Sequence, residues 1–257
     1  KHMNVDDHYK GVAKSYEDAL FYQKGNDFEK QYFAAILKTF SITNLDTKIV
    51  DLGGGTGRIA NLLYSSSNLR NNVICVDNSE DMLSVAKTRE GVDAVHCNGM
   101  DYFKGIESNS VDRVLLKEFI HHVPIPSLNS LFSNIYNAVS PGGIVLVITR
   151  CKKGIEYPFS KKAIEVWEQN QEAKETYEDE MKACGFTVHS ELFTYTLNTT
   201  LDFWLKMVEN RFWSTFGPEN FTEEQLKDTI EEIRTKYHNE SGNIEFNEKI
   251  IFIIGTK

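Results

Sequence analysis

Short apolar runs alternate along this chain with longer stretches in which apolar residues recur at helical spacing. Lys48–Leu52 is a brief β-rich run that ends in glycines, and Thr56–Tyr64 after it predicts a helix. Asn72–Asp77 (NVICVD) predicts a second strand, with a helix over about Ser79–Thr88. Ala94–Cys97 reads as a short third strand and Val111–Leu116 as a fourth. A helix over Ser127–Val139 follows, then the turn Ser140-Pro141-Gly142-Gly143 and a fifth strand, Ile144–Thr149. Strands alternating with helices at this spacing mean βαβ units and a parallel sheet. Right-handed crossovers then place helices on both faces.

The flanks differ from this core. Residues 4–40 carry a helical pattern rich in aromatics, among them Tyr9 and Tyr16. A charged helical stretch covers about Lys161–Cys184, with Gly185 as a stop signal. Phe186–Leu197 and Lys249–Thr256 predict two further strands. The helical excursion between them, Asn198–Asn247, is too long for a hairpin loop, and such excursions are usually functional or independently structured.

Composition narrows the class. A chain of 257 residues, 41% hydrophobic and 25% charged, suits one or two ordinary globular domains. Lys+Arg total 28 and Asp+Glu 37, a net charge of −9, which argues against nucleic acid as the main partner. Four scattered cysteines without a CxxC pair suit reduced thiols, so a cytoplasmic location is expected. No apolar run approaches the roughly 20 residues of a membrane span, and no secretory signal is evident. Lys1-His2-Met3 looks like an expression-tag remnant and is left out of the fold reasoning.

The candidate chemistry begins at Ile49-Val50-Asp51-Leu52-Gly53-Gly54-Gly55-Thr56-Gly57-Arg58, a strand running into a glycine cluster that opens a helix. Such a turn admits a ligand close to the backbone, and the helix start offers free N–H groups. The glycines fall as G-x-G-x-G (Gly53, Gly55, Gly57), with Arg58 where the dinucleotide fingerprint has its last glycine. Asp51 ahead of them suits a cationic ligand group, which a pyrophosphate is not. Asp77 ends the second strand, where an acid accepts hydrogen bonds from ribose hydroxyls. Asp101 follows the third strand in Asn98-Gly99-Met100-Asp101. Alone, a glycine cluster is often a tight turn and a strand-terminal Asp a helix cap; their order and spacing separate the two readings.

Together with Asp77-Asn78-Ser79-Glu80-Asp81-Met82-Leu83 and the Ser140–Gly143 turn, these segments resemble the class I S-adenosylmethionine-dependent methyltransferases of small-molecule type, over about residues 45–150. The resemblance implies a Rossmann-like doubly wound α/β fold, with a seven-stranded mostly parallel sheet and an antiparallel last strand. The core is expected at 45–197 and 248–257, behind an N-terminal helical cap (4–44) and with a helical lid over 198–247. The implied cofactor is S-adenosyl-L-methionine, leaving as S-adenosyl-L-homocysteine. By the resemblance, Asp51, Gly53, Gly55 and Gly57 hold its methionyl part. Asp77 and Asn78 bind the ribose, with Met82 in the same helix-opening segment. Met100 and Asp101 meet the adenine, and Leu116 and Lys117 line the place of transfer.

Transfer from a sulfonium is an in-line displacement on an already activated carbon, so alignment and water exclusion matter most. An acceptor that carries a proton also needs a base. His121 and His122 in Lys117–Pro124 are the candidates, with Glu118 to orient one of them. No metal is expected, because the metal-using relatives carry a different acidic pattern. The Asn/Asp-Pro-Pro-aromatic and Pro-Cys motifs of the nucleic-acid branches do not occur. For the acceptor side, the cap contributes Tyr9 and Tyr16. The excursion contributes Trp204, Arg211 and Trp213, which fall off the apolar stripe Leu201, Leu205, Val208, Phe212, Phe216. The expected function is methyl transfer to a small molecule in a closed pocket. The alternatives are a protein or RNA methyltransferase and a catalytically silent cofactor-binding subunit.

Overall fold

The computed structural model describes residues 27–257. Two compact units divide them. One comprises the described residues up to Thr149 with Glu175–Glu191 and Ile251–Lys257; the other comprises Arg150–Lys174 and Leu192–Ile250.

In the first unit, helix α1 (Phe28–Phe40) buries Phe28, Tyr32, Ile36 and Phe40 at four-residue spacing, and Ser41 closes it in the left-handed region at φ 43°. Strand β1 (Ile49–Leu52) is buried at every position, as a central parallel strand must be. It leads to α2 (Arg58–Ser67), β2 (Val73–Asp77), α3 (Glu80–Ala86), β3 (Val92–His96), α4 (Gly99–Tyr102) and β4 (Val111–Lys117). Helix α5 (Ile125–Ala138) and β5 (Val139–Arg150) complete the alternation.

Strand order in the seven-stranded sheet is β3-β2-β1-β4-β5-β7-β6. Asp51 of β1 stands in parallel register with Cys75 of β2 on one side and Leu115 of β4 on the other. The order therefore reverses at β1, and the crevice outside the carboxyl ends of β1 and β4 is where open α/β sheets bind ligands. Strands β6 (Thr187–Thr200) and β7 (Asn243–Thr256) carry residues of both units. β7 runs against β5: the N–H of Gly142 donates to the carbonyl of Lys257, and the N–H of Lys257 to that of Gly143. The antiparallel last strand of the sequence reading is thus present, between β5 and the exposed strand β6.

Some elements differ from expectation. The Ser140–Gly143 turn lies inside β5, which begins at Val139 and pairs it with Val111 across a register shift; Gly142, at φ +79°, absorbs the irregularity. The charged helix is two helices, α6 (Lys161–Asn170) and α7 (Lys174–Ala183), which fall largely into different units. The apolar stripe of α6 (Ala163, Trp167) lapses at Asn170 and Gln171 and resumes only at Tyr177 and Met181.

The second unit is larger than the expected 198–247 excursion, because 150–174 belongs to it. Helix α8 (Leu201–Glu209) stops short of the expected apolar repeat: Arg211 takes a left-handed φ of 52°, and the N–H of Phe212 turns back to the carbonyl of Met207. Helix α9 (Glu223–Tyr237) opens on a capping box made by Thr222 and Gln225. The core of this unit is aromatic, with Phe159, Trp204, Phe216 and Phe221 fully buried. Its one buried acid, Glu248, accepts from the Tyr157 hydroxyl at 2.8 Å on each oxygen and pairs with Arg150.

Candidate active site at the strand tips

A cavity of about 860 Å³ lies wholly in the first unit, lined by residues at the carboxyl ends of β1, β2, β3 and β4 and by the first turns of α2 and α5. That volume is within the range of small-molecule and cofactor sites.

Its floor is the glycine loop. Gly53, Gly55 and Gly57 all have positive φ, +74°, +55° and +69°. A Cβ on Gly53 would stand 2.7 Å from the Phe119 ring, and one on Gly54 would stand 2.7 Å from the Cys75 sulfur and 2.8 Å from Asp51 Oδ2. The loop is glycine because backbone, ring and carboxylate meet there. Asp77 fixes the loop to the tip of β2. Its Oδ2 accepts from the Gly55 N–H and its Oδ1 from the Ser79 N–H, each at 2.9 Å. A carboxylate oxygen has room for a second donor, so the cavity-lining Asp77 is held rigid with acceptor capacity left over. Ser79 and Asn98 cap α3 and α4 through the N–H groups of Met82 and Met100, which places those two thioethers on the cavity wall. Asp101 accepts from Lys104 Nζ at 2.5 Å.

Asp51 is 2% exposed. Burial pushes its carboxyl up to about 7; Lys117 works against that rise and Asp77 adds to it. Burial and the same two acids drive the Cys75 thiol far above its usual range, so it is no nucleophile. At the end of β4 the chain kinks: Glu118 takes a left-handed φ of 53° while its N–H donates to the Ile148 carbonyl. A 3₁₀ turn over Ile120–His122 follows. His122 lines the cavity wall and His121 does not; both keep solvent exposure, and the two rings are 4.0 Å apart. Burial first, then neighbouring His121, lowers His122 to about 4, with Glu118 opposing.

Asp51, Gly53, Gly55, Asp77, Asn78, Met82, Met100, Asp101, Lys117, Glu118 and His122 therefore line one cavity. Gly57 does not: it is the N-cap of α2, and a Cβ there would stand 3.0 Å from Ala86, so its role is helix packing. His121 is likewise off the wall. Trp204, Arg211 and Trp213 belong to the second unit. Trp204 is 0% exposed with its ring N–H donated to the Pro158 carbonyl at 2.8 Å. Arg211 donates to the carbonyls of Phe216 and Phe221 and to Glu223, and Trp213 packs edge-on to Phe159 and tilted against Trp204. The expected aromatic wall is corrected accordingly: these side chains are occupied in packing. Tyr9 and Tyr16 lie outside the described residues. The cavity adds Phe119, Arg58, Lys104, Ser127 and Ser130, which the sequence reading passed over. Phe119 carried a signal, since Gly53 and Gly99 are both small where its ring lies. Among the described residues no cluster of His, Cys, Asp and Glu has the makings of a metal site, and no helix is long and apolar enough to cross a membrane.

Residues 50–147 match a family model described as a methyltransferase domain. No curated protein matches the chain. Among solved structures, phosphoethanolamine N-methyltransferase 2 of Haemonchus contortus, in complex with phosphomonomethylethanolamine and S-adenosylhomocysteine, is 25% identical with a TM-score of 0.60 over 98% of this chain and 57% of that one. Its S-adenosylmethionine complex superposes at 0.62 with 22% identity, over 100% of this chain and 61% of that one. This chain thus spans about three fifths of the length of the Haemonchus protein. An S-adenosylmethionine-dependent methyltransferase of Archaeoglobus fulgidus, at 17% identity and a TM-score of 0.61 over 95% of this chain and 99% of that one, shares the fold end to end. Family match, strand order and glycine loop agree: residues 50–147 match a methyltransferase domain, and the chain shares the Rossmann-like fold of these solved methyltransferases.

Proposed function

We propose that this protein transfers the methyl group of S-adenosylmethionine to a small-molecule acceptor held in the cavity of the first unit. The observation that carries the reading is Asp77: a strand-tip carboxylate on the cavity, fixed by two backbone N–H groups next to a loop in which a side chain at Gly53 or Gly54 would collide with Phe119, Cys75 or Asp51. Glycine loop and acids fit the donor's chemistry. Asp77 accepts from the ribose hydroxyls, Asp101 from the adenine amine, and Met82 and Met100 give apolar contact. Asp51 supplies negative charge under the methionyl end, where the donor is cationic. When bound, the donor supplies a sulfonium methyl that needs no further activation.

The acceptor side is made by Lys117, Glu118, Phe119 and His122, with Ser127 and Ser130 of α5. His122 lines this side of the cavity and is uncharged at neutral pH, and its imidazole is the group placed to take the proton an acceptor amine or hydroxyl releases, with the lowered value limiting its strength as a base. The Glu118 charge favours the imidazolium that results. Support for a small acceptor comes from the neighbours: the Haemonchus structure holds phosphomonomethylethanolamine, and a Streptomyces coelicolor C-methyltransferase of similar fold holds geranyl diphosphate.

Titration calorimetry with S-adenosylhomocysteine tests the donor site. Wild-type protein binds it and Asp77→Ala does not; wild-type affinity in that variant overturns the assignment. Release of S-adenosylhomocysteine with a panel of small amines, alcohols, thiols and prenyl diphosphates tests the acceptor. Turnover confined to added protein or RNA refutes the small-molecule reading.

A further inference from the structure

Arg58 is the first residue of α2 and lines the cavity. A cation is misplaced there by helix electrostatics, because the N-terminus favours anions, and the first turn of α2 has no acid of its own. The negative charge comes from another element. Glu29, in the first turn of α1, accepts from Arg58 Nε at 2.7 Å on one oxygen and from Nη2 at 2.6 Å on the other. This is the fork-on-fork geometry in which a guanidinium reads a carboxylate. The side chains remain 39% and 23% exposed, so the pair is open to exchange with solvent and solutes. The other lining cations are lysines: Lys104 is held by Asp101, and Lys117 stands over the Tyr32 ring at 6.0 Å. Arg58 is the one planar carboxylate reader among the described lining residues.

We propose that Glu29 is a built-in stand-in for a ligand carboxylate: the fork of Arg58 binds the carboxylate at the methionyl end of the donor, and Glu29 is displaced from it on binding. The inference rests on the donor reading above. Asp77 and Asp101, from the β2 and β3 side of the wall, serve the nucleoside; Arg58, from the β1–α2 connection, serves the amino-acid end. Donor affinity is then set by a competition between two carboxylates for one guanidinium, and donor binding loosens the tie between α1 and α2.

Methylthioadenosine keeps the nucleoside and the thioether and lacks the amino-acid end, so calorimetry with it and with S-adenosylhomocysteine separates the outcomes. Arg58→Lys keeps the charge and loses the fork; it weakens S-adenosylhomocysteine about 10- to 100-fold, the worth of a charged hydrogen-bonded pair, and leaves methylthioadenosine unchanged. Glu29→Gln strengthens S-adenosylhomocysteine several-fold by removing the competitor, again with methylthioadenosine unchanged. Equal loss of both ligands in Arg58→Lys overturns the proposal. So does weaker S-adenosylhomocysteine binding in Glu29→Gln, which would make Glu29 a receptor for the ligand ammonium. If Arg58→Lys does not fold, Glu29→Gln decides alone. Wild-type protein that binds neither ligand refutes the donor reading itself.

Discussion

Both units contain the residue types that a sequence reader marks as functional, but they dispose of them differently. In the second unit each one is satisfied internally. Glu248 is held by Tyr157 and Arg150, the Trp204 ring N–H by the Pro158 carbonyl, and Arg211 by two carbonyls and Glu223. In the first unit Asp77 and Asp101 are anchored through part of their polar surface and line a cavity. An acid, an arginine or a tryptophan becomes a candidate for chemistry through the hydrogen-bonding capacity its neighbours leave unused on a concave wall, and residue type alone does not decide it.

The contrast is easiest to break at Trp204. Trp204→Ala empties the aromatic core of the second unit and is expected to cost about 3–5 kcal/mol, read as a lower denaturant midpoint. A variant with wild-type stability would mean that this side chain is not packing. His122→Gln should lower kcat at saturating donor by about 100-fold or more, the usual share of a general base, with S-adenosylhomocysteine affinity retained. His121→Gln, one residue away and off the wall, is expected to keep most of the turnover, and equal losses would erase the distinction drawn between the two rings.

Asp51 gives a pH signature. Its folded value near 7 lies above the ordinary 3.8, so between those limits the folded state holds a proton that the unfolded state has lost. Stability from this group is therefore greatest below the ordinary value and declines as pH rises toward 7. Donor binding runs the other way. A cation favours ionised Asp51, so binding below pH 7 releases a proton and affinity falls by up to about tenfold per unit of acidification. Asp51→Asn should flatten both profiles in thermal unfolding and calorimetry. The smallest effect is expected at Gly57. An alanine at its positive φ costs about 1 kcal/mol of stability and leaves donor affinity alone; a large loss of binding would restore Gly57 to the site.

The core was legible because its signals are local. A glycine needed at positive φ, an acid at a strand tip and an alternation of strands with helices each leave a mark within a few residues, and Gly53, Gly55, Asp77 and Asp101 share one cavity wall. What escaped depends on chain segments distant in sequence. The second unit joins 150–174 to 192–250, so the burial of Trp204 under Tyr157 and Phe159 could not be read from the stripe of α8 alone. The break between α6 and α7 was written in the polar residues Asn170 and Gln171, though the high charge of the whole stretch masked it. Arg58 looked like a mere departure from a dinucleotide fingerprint until Glu29, on another helix, showed what it holds.

Of the tandem imidazoles only His122 shares the cavity wall, four residues beyond the left-handed Glu118. Two chemically identical neighbours thus meet the pocket unequally. A one-residue insertion or deletion in the turn between them and the strand is expected to change which ring reaches the wall, leaving the inventory of side chains intact.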